Sequence, residues 1–189
     1  MPDLLIQEAN NYCITITEKI IHGFGWHNLT IQTLSEADRK RLAQGPADAR
    51  LNWPWAMRRY AGIAEDGILD ISLKVLDYDN PADLHAVILY KYDARREEFA
   101  ICMLENFIQE ETTLTGKVLI IALVYSITFC DMYELDEIII QDPIEDAKAR
   151  YRSYGFWQNP DNFSRMSAEI FDIKIKINEK VSSLNEGDD

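Results

Sequence analysis

The chain has 189 residues, 47% of them apolar and 27% charged, enough for one sizeable core and too short for two full domains. Four Trp, nine Tyr and seven Phe require burial and exclude disorder along the whole length. With 19 basic against 32 acidic residues the formal charge is −13; such a surface repels phosphate backbones and anionic membranes, so neither nucleic acid nor membrane is expected as a partner, and cationic ones are favoured.

The acids are unevenly spread, because residues 96–189 carry 19 acids and 9 bases and so hold −10 of the −13. Cys13, Cys102 and Cys130 are widely spaced with no CxxC pair, which reads as free thiols in a reducing cytoplasm. No secretory leader is evident in the sequence, and its longest apolar run, Val118 to Cys130, is too short to span a bilayer. His22, His27 and His85 show neither metal-ligand spacing nor a nucleophile partner.

In chain order, residues 3–21 read either as a helix or, around Cys13–Thr17, as β-rich sequence. Asn28–Leu34 reads as a strand. Ser35, followed by Glu36 and Asp38, reads as the N-cap of a helix ending near Gly45–Pro46. A second short helix, rich in Trp and Arg, starts near Pro54. Ile68–Leu76, His85–Tyr92 and Phe99–Ile108 read as strands of an antiparallel meander. A turn containing Gly116 leads into a buried helix, Val118–Tyr133, followed by a short buried strand, Glu137–Ile140. Pro143 can open a helix that runs to about Ser153 and is stopped at Gly155. Phe163–Asn178 alternates through Phe171, Ile173, Ile175 and Ile177 as a half-buried strand would, with a helical reading through Ile170, Ile173, Ile177 and Val181 in competition. Helices mixed with mainly antiparallel strands indicate a mixed α/β domain.

Residues 99–156 join a strand, a Thr/Gly turn, a long buried helix, a strand and a helix ending Ala147-Lys148-Ala149-Arg150-Tyr151-Arg152-Ser153-Tyr154-Gly155-Phe156. The A-x-x-x-Y-x-x-x-G-F ending resembles the helix-end signature of the GNAT superfamily of N-acetyltransferases. The preceding strand–turn–helix occupies the place of that family's acetyl-CoA pyrophosphate loop, and Leu29–Gln44 is similar to its opening strand and helix. The resemblance implies a twisted, mainly antiparallel sheet of about six to seven strands flanked by helices. The chain then divides into an N-terminal extension (1–28), a GNAT-like domain (29–178) and an acidic flexible tail (179–189).

The implied activity is acyl transfer, most simply of acetyl, from acetyl-CoA to a primary amine by direct attack. A helix N-terminus offers free N–H groups to a diphosphate, and a glycine there lets it approach. The matching loop is Thr113-Leu114-Thr115-Gly116-Lys117-Val118; it keeps one glycine but has Thr at the family's basic or amide position and Val at its second small one. Tyr151 matches the family's general acid, which protonates the departing thiolate. Lys148, Arg150 and Arg152 are placed either to approach CoA phosphates or to favour the helix C-terminus as a solvated face. Glu105 is the nearest candidate base by chain position, and the main chain near Asn106 or Phe107 the candidate oxyanion contact. Trp26, Trp53 and Trp55 are core residues by default and an aromatic wall for a cationic amine in the alternative. Self-association as a homodimer is left open. The competing function is a GNAT-fold domain that has lost transfer and binds a basic protein through its acidic surface.

Overall fold

The computed structural model describes residues 2–60, 67–80, 84–108, 114 and 116–186. Seven strands form one sheet in the order β1-β2-β3-β4-β5-β7-β6. They are β1 (Leu29–Thr33), β2 (Ile68–Asp77), β3 (Ala86–Asp93), β4 (Glu98–Asn106), β5 (Glu137–Gln141), β6 (Trp157–Asn159) and β7 (Asn162–Glu169). All neighbours pair antiparallel except β4 and β5, which run parallel. Six helices cover the sheet: α1 (Pro2–Gly23), α2 (Glu36–Ala43), α3 (Trp53–Arg59), α4 (Val118–Tyr133), α5 (Glu145–Arg152) and α6 (Ile170–Glu186).

Helix α4 is the axis of the larger core. Every residue from Val118 to Cys130 is buried, as expected of a helix that is apolar all round. It lies against β4 and β5, with α1 and α6 on its other sides. The alternation of β2 is read directly in its burial, with Leu69, Ile71, Leu73 and Val75 facing this core. A smaller core on the opposite face joins α2 and α3 to Val87 and Leu89 through Leu42, Trp53, Ala56 and Tyr60. Among the described residues no helix is long and apolar enough to cross a membrane.

One open reading is resolved and one expectation is corrected. Residues 3–21 belong to a helix, because Cys13 and Ile21 reach the core while Thr15 and Thr17 return their hydroxyls to carbonyls four residues earlier. Past Glu169 the helical reading prevails over the strand. Ile170, Ile173, Ile177 and Val181 are buried at helical spacing, whereas Phe171 is 70% exposed. Helix α6 therefore continues to Glu186, where a flexible tail from 179 was expected.

Candidate active site

The site begins as a defect in the sheet. Strands β4 and β5 pair only at Ala100↔Ile139 and Ile101↔Ile140. Immediately beyond, Leu89 pairs with Met103 and Tyr90 with Ile101, so Cys102 is one residue too many against β3. Such a bulge bends its strand and increases the local twist. The rest of β4 keeps its pairing with β3 and leaves β5, which ends at Gln141. A cleft opens between the two strands.

One half of this cleft, a cavity of about 250 Å³, lies between the tail of β4, the start of α4 and α5. Main-chain groups at the tail of β4 and the start of α4 contribute to its walls. The Phe107 N–H donates to the His85 carbonyl at 2.8 Å, so the N–H groups of Leu104 and Asn106, alternating with it, point away from β3 into the gap. On the facing wall α4 begins. Gly116 precedes it at φ +77°, a conformation that favours glycine, and Lys117 caps it without a side-chain hydrogen bond. The first N–H groups of α4 have no partner within the helix and carry the positive end of its dipole. Helix α5 presents Asp146, Ala147, Arg150 and Tyr151 to this cavity, one face at helical spacing.

The other half, about 200 Å³, is walled by Leu51, Trp55, Tyr60, Met103, Ile140 and Tyr151. It continues into an outer cavity of about 310 Å³ that shares Trp55, Tyr60, Cys102 and Asp142 with it. Tyr151 lines both inner halves and so stands where they meet. Burial pushes its phenol above the ordinary range, partly opposed by Arg150. The hydroxyl is therefore a proton donor throughout neutral pH, and among the described residues nothing accepts its hydrogen bond. Burial likewise raises the Cys102 thiol, to about 11.

Several predicted residues have other occupations. Glu105 is 5% exposed, and its carboxylate accepts from the Arg50 N–H at 2.5 Å, the Leu51 N–H at 3.3 Å and the Trp53 indole N–H at 2.6 Å. It acts as a clamp tying the segment before α3 to β4, which leaves it poorly placed as a base. The Lys117 ammonium lies over the Trp26 ring, 5.2 Å from its centroid. The Lys148 ammonium pairs with Glu145 at 2.6 Å, so Arg150 is the cation of that cluster lining the cleft. Val118 and Gly116 line the first half without closing it. Asn106 lines it too, its Oδ1 accepting from the Ile108 N–H. Thr113 and Thr115 lie outside the described residues. Trp26 and Trp53 are core residues, while Trp55 is 44% exposed at the cleft.

Asp142 was not anticipated. It sits just past β5 at φ +49°, lines both the inner and outer cavities, and among the described residues its carboxylate has no partner. Its sequence signal is slight: a carboxylate between the end of a strand and Pro143. The Leu104 N–H has no sequence signal, because the bulge that aims it is a property of strand register. A larger apolar groove between α1, α4 and α6, about 660 Å³, gathers few polar groups, and two of them, Lys174 and Asp131, pair with each other.

A seven-stranded sheet whose parallel strands β4 and β5 part, with the start of a buried helix at the gap, is a GNAT-like fold. Comparison with solved structures agrees. A chimera of spermidine N-acetyltransferase SpeG from Vibrio cholerae and hSSAT matches at TM-score 0.53 and 15% identity, over 78% of this chain and 98% of that one. The KacTA–DNA complex matches at 0.56 and 12%, over 80% and 99%. AtaTR bound with AcCoA matches at 0.52 and 13%, over 78% and 97%. No family model and no curated protein matches the sequence.

Proposed function

We propose that this protein is an acetyl-CoA-dependent N-acetyltransferase that acts by direct attack of an amine in a ternary complex. The observation that carries this reading is Tyr151, a buried phenol lining both halves of a cleft opened by the parting of β4 and β5. The half beside α4 suits acetyl-CoA. Free main-chain N–H groups at the start of α4 suit the diphosphate, and Arg50 and Arg150, which line the same cavity, suit phosphate charge. The unpaired edge of β4 suits the pantetheine amides, with the Leu104 and Asn106 N–H groups as donors to the thioester oxygen. Similarity of fold to AtaTR bound with AcCoA supports the choice of cosubstrate.

The amine enters through the half lined by Trp55 and Tyr60. Its nitrogen bonds to the acetyl carbonyl carbon, the carbon–sulfur bond breaks, the thiolate takes the Tyr151 proton, and the proton that the nitrogen sheds on becoming an amide passes through water to restore the phenol. Asp142 orients the incoming ammonium and takes the proton that frees its lone pair. The main catalytic contribution is holding the two reactants together.

Thermal denaturation with and without acetyl-CoA tests the reading. A saturable rise in Tm is expected, following RT ln(1 + [L]/Kd), together with thiol release when amines are supplied. No rise at millimolar acetyl-CoA would sink the enzyme reading and favour an acidic interaction module.

A further inference from the structure

We propose that the acceptor amine also carries a carboxylate, held at the outer end of the cleft by Arg59 and Lys91; this rests on the acyl-transfer reading above. The observation is a local reversal of charge. The whole chain has 19 bases and 32 acids, yet the outer cavity is lined by Arg59, Lys91, Arg96 and Arg165 against Asp93, Glu98 and Asp142.

The pairing within this ring sharpens the point. The Arg165 Nη1 reaches both Glu98 oxygens at 3.0 Å and its Nε donates to the Gln141 Oε1 at 3.0 Å. Arg96 stands 3.9 Å from Asp93, whose carboxylate also accepts main-chain N–H groups from Arg95 and Arg96. Lys91 has Asp70 opposite it on β2. Arg59, at the C-terminal end of α3, has no carboxylate paired with it among the described residues. Neither does Asp142 have a cation. Among the described residues, a carboxylate without a cation where the inner and outer cavities meet, and a guanidinium without a carboxylate in the outer one, suit the ammonium and the carboxylate of a zwitterion.

The wall beside them is apolar and aromatic, with room for the side chain of an amino acid whose two charges share one carbon. Trp55 and Tyr60 stand edge to face at 6.0 Å between ring centroids, beside Met103 and Ile140. An amino acid with an apolar side chain fits this order of groups. A polycation would set its distal charges against Arg59 and its neighbours, despite the favourable long-range field of a −13 chain.

Initial rates with acetyl-CoA on matched acceptors test the proposal: tryptophan against tryptamine, phenylalanine against phenethylamine, and spermidine. The carboxylate-bearing member of each pair should have a kcat/KM about tenfold higher or more, the usual scale for one charge-assisted contact. Arg59→Gln should reduce that preference about fivefold through KM. Lys91→Gln repeats the test at a second site, with thermal denaturation verifying that each variant folds. Equal or faster transfer to the decarboxylated amines or to spermidine overturns the proposal. So does an unchanged preference in both variants, or no transfer to any carboxylate-bearing amine. Thermal shift with acetyl-CoA in the same samples separates the two levels. A shift without the preference removes only the anion subsite, whereas no shift removes the acyl-transfer reading with it.

Discussion

The two halves of the cleft are built from different material. The half beside α4 is framed by secondary structure that presents main-chain groups: the tail of β4 freed from β5, and the opening turn of a buried helix. The half beside α3 is made of side chains from distant parts of the sequence, with Trp55 and Tyr60 from the α3 region, Met103 from β4 and Asp142 from the end of β5. Main-chain groups come with the secondary structure and are insensitive to which residues supply them. Side-chain constellations depend on every element being in register. Substitutions in the first half should therefore act through cosubstrate affinity, and those in the second through the acceptor.

Tyr151 belongs to both halves and should break the pattern most severely. Tyr151→Phe keeps the ring and its packing against Phe156 and removes the proton donor. A fall in kcat of about 10²–10³-fold is expected, the range for loss of a general acid, with acetyl-CoA affinity nearly unchanged by calorimetry. Because burial raises the phenol above its ordinary range, kcat should show no alkaline decline attributable to this group below that range. A decline near neutrality would assign the proton to another residue.

Asp142→Asn comes next. It removes the charge that orients the ammonium and should lower kcat/KM for the acceptor about 10–100-fold while leaving the acetyl-CoA shift intact. Arg150→Glu should do the reverse. A carboxylate placed beside the phosphate path should weaken acetyl-CoA about tenfold at low salt and less at high salt, with acceptor KM little altered. If both variants changed the same constant, the division between halves would be wrong.

The same difference decides what the sequence discloses. The long apolar run 118–130, the glycine before it and the helix ending at Gly155 each leave a local pattern, so the frame of the cosubstrate half is readable without coordinates. The acceptor half is not. Nothing at Cys102 announces a bulge, since the extra residue is defined only by pairing across to Leu89 and Tyr90. Even in the cosubstrate half Glu105 is hidden, because it sits in an alternating strand like any surface carboxylate. Its burial follows from three donors arriving from residues 50–53, a contact more than fifty positions away in sequence. The cations Lys148 and Lys117 were legible as charges but not as partners, because Glu145 and Trp26 reach them first.

Trp53→Phe tests how far the clamp supports the acceptor half. The ring is completely buried, so the benzyl side chain fills most of its volume while the indole N–H to Glu105 disappears. Loss of a hydrogen bond to a charged group costs about 1.5–3 kcal/mol, and the smaller ring adds a packing loss. A drop in Tm of several degrees is expected, with a rise in acceptor KM exceeding any change in acetyl-CoA affinity. Equal effects on both would make Glu105 a purely structural residue.

The smallest effect concerns α2, which supports α3 from behind. Desolvation raises the Asp38 carboxyl, but hydrogen bonds from Lys74 and Ser35 and the Lys74 charge outweigh it and hold it below the usual carboxylate range. The Lys74 ammonium is 2.7 Å away, on β2. A carboxyl whose folded pKa is depressed stabilises the fold above its unfolded value, and that contribution is lost as pH falls through the lowered one. Acid should therefore loosen the attachment of α2 to the sheet only below the ordinary carboxylate range. Asp38→Asn should flatten this part of the stability-against-pH curve and cost about 1 kcal/mol at neutral pH, as much through the cap of α2 as through the ion pair. Denaturant midpoints measured across the acid range would show it. A variant curve parallel to that of the unmodified protein would mean that the attachment of α2 owes nothing to this charge.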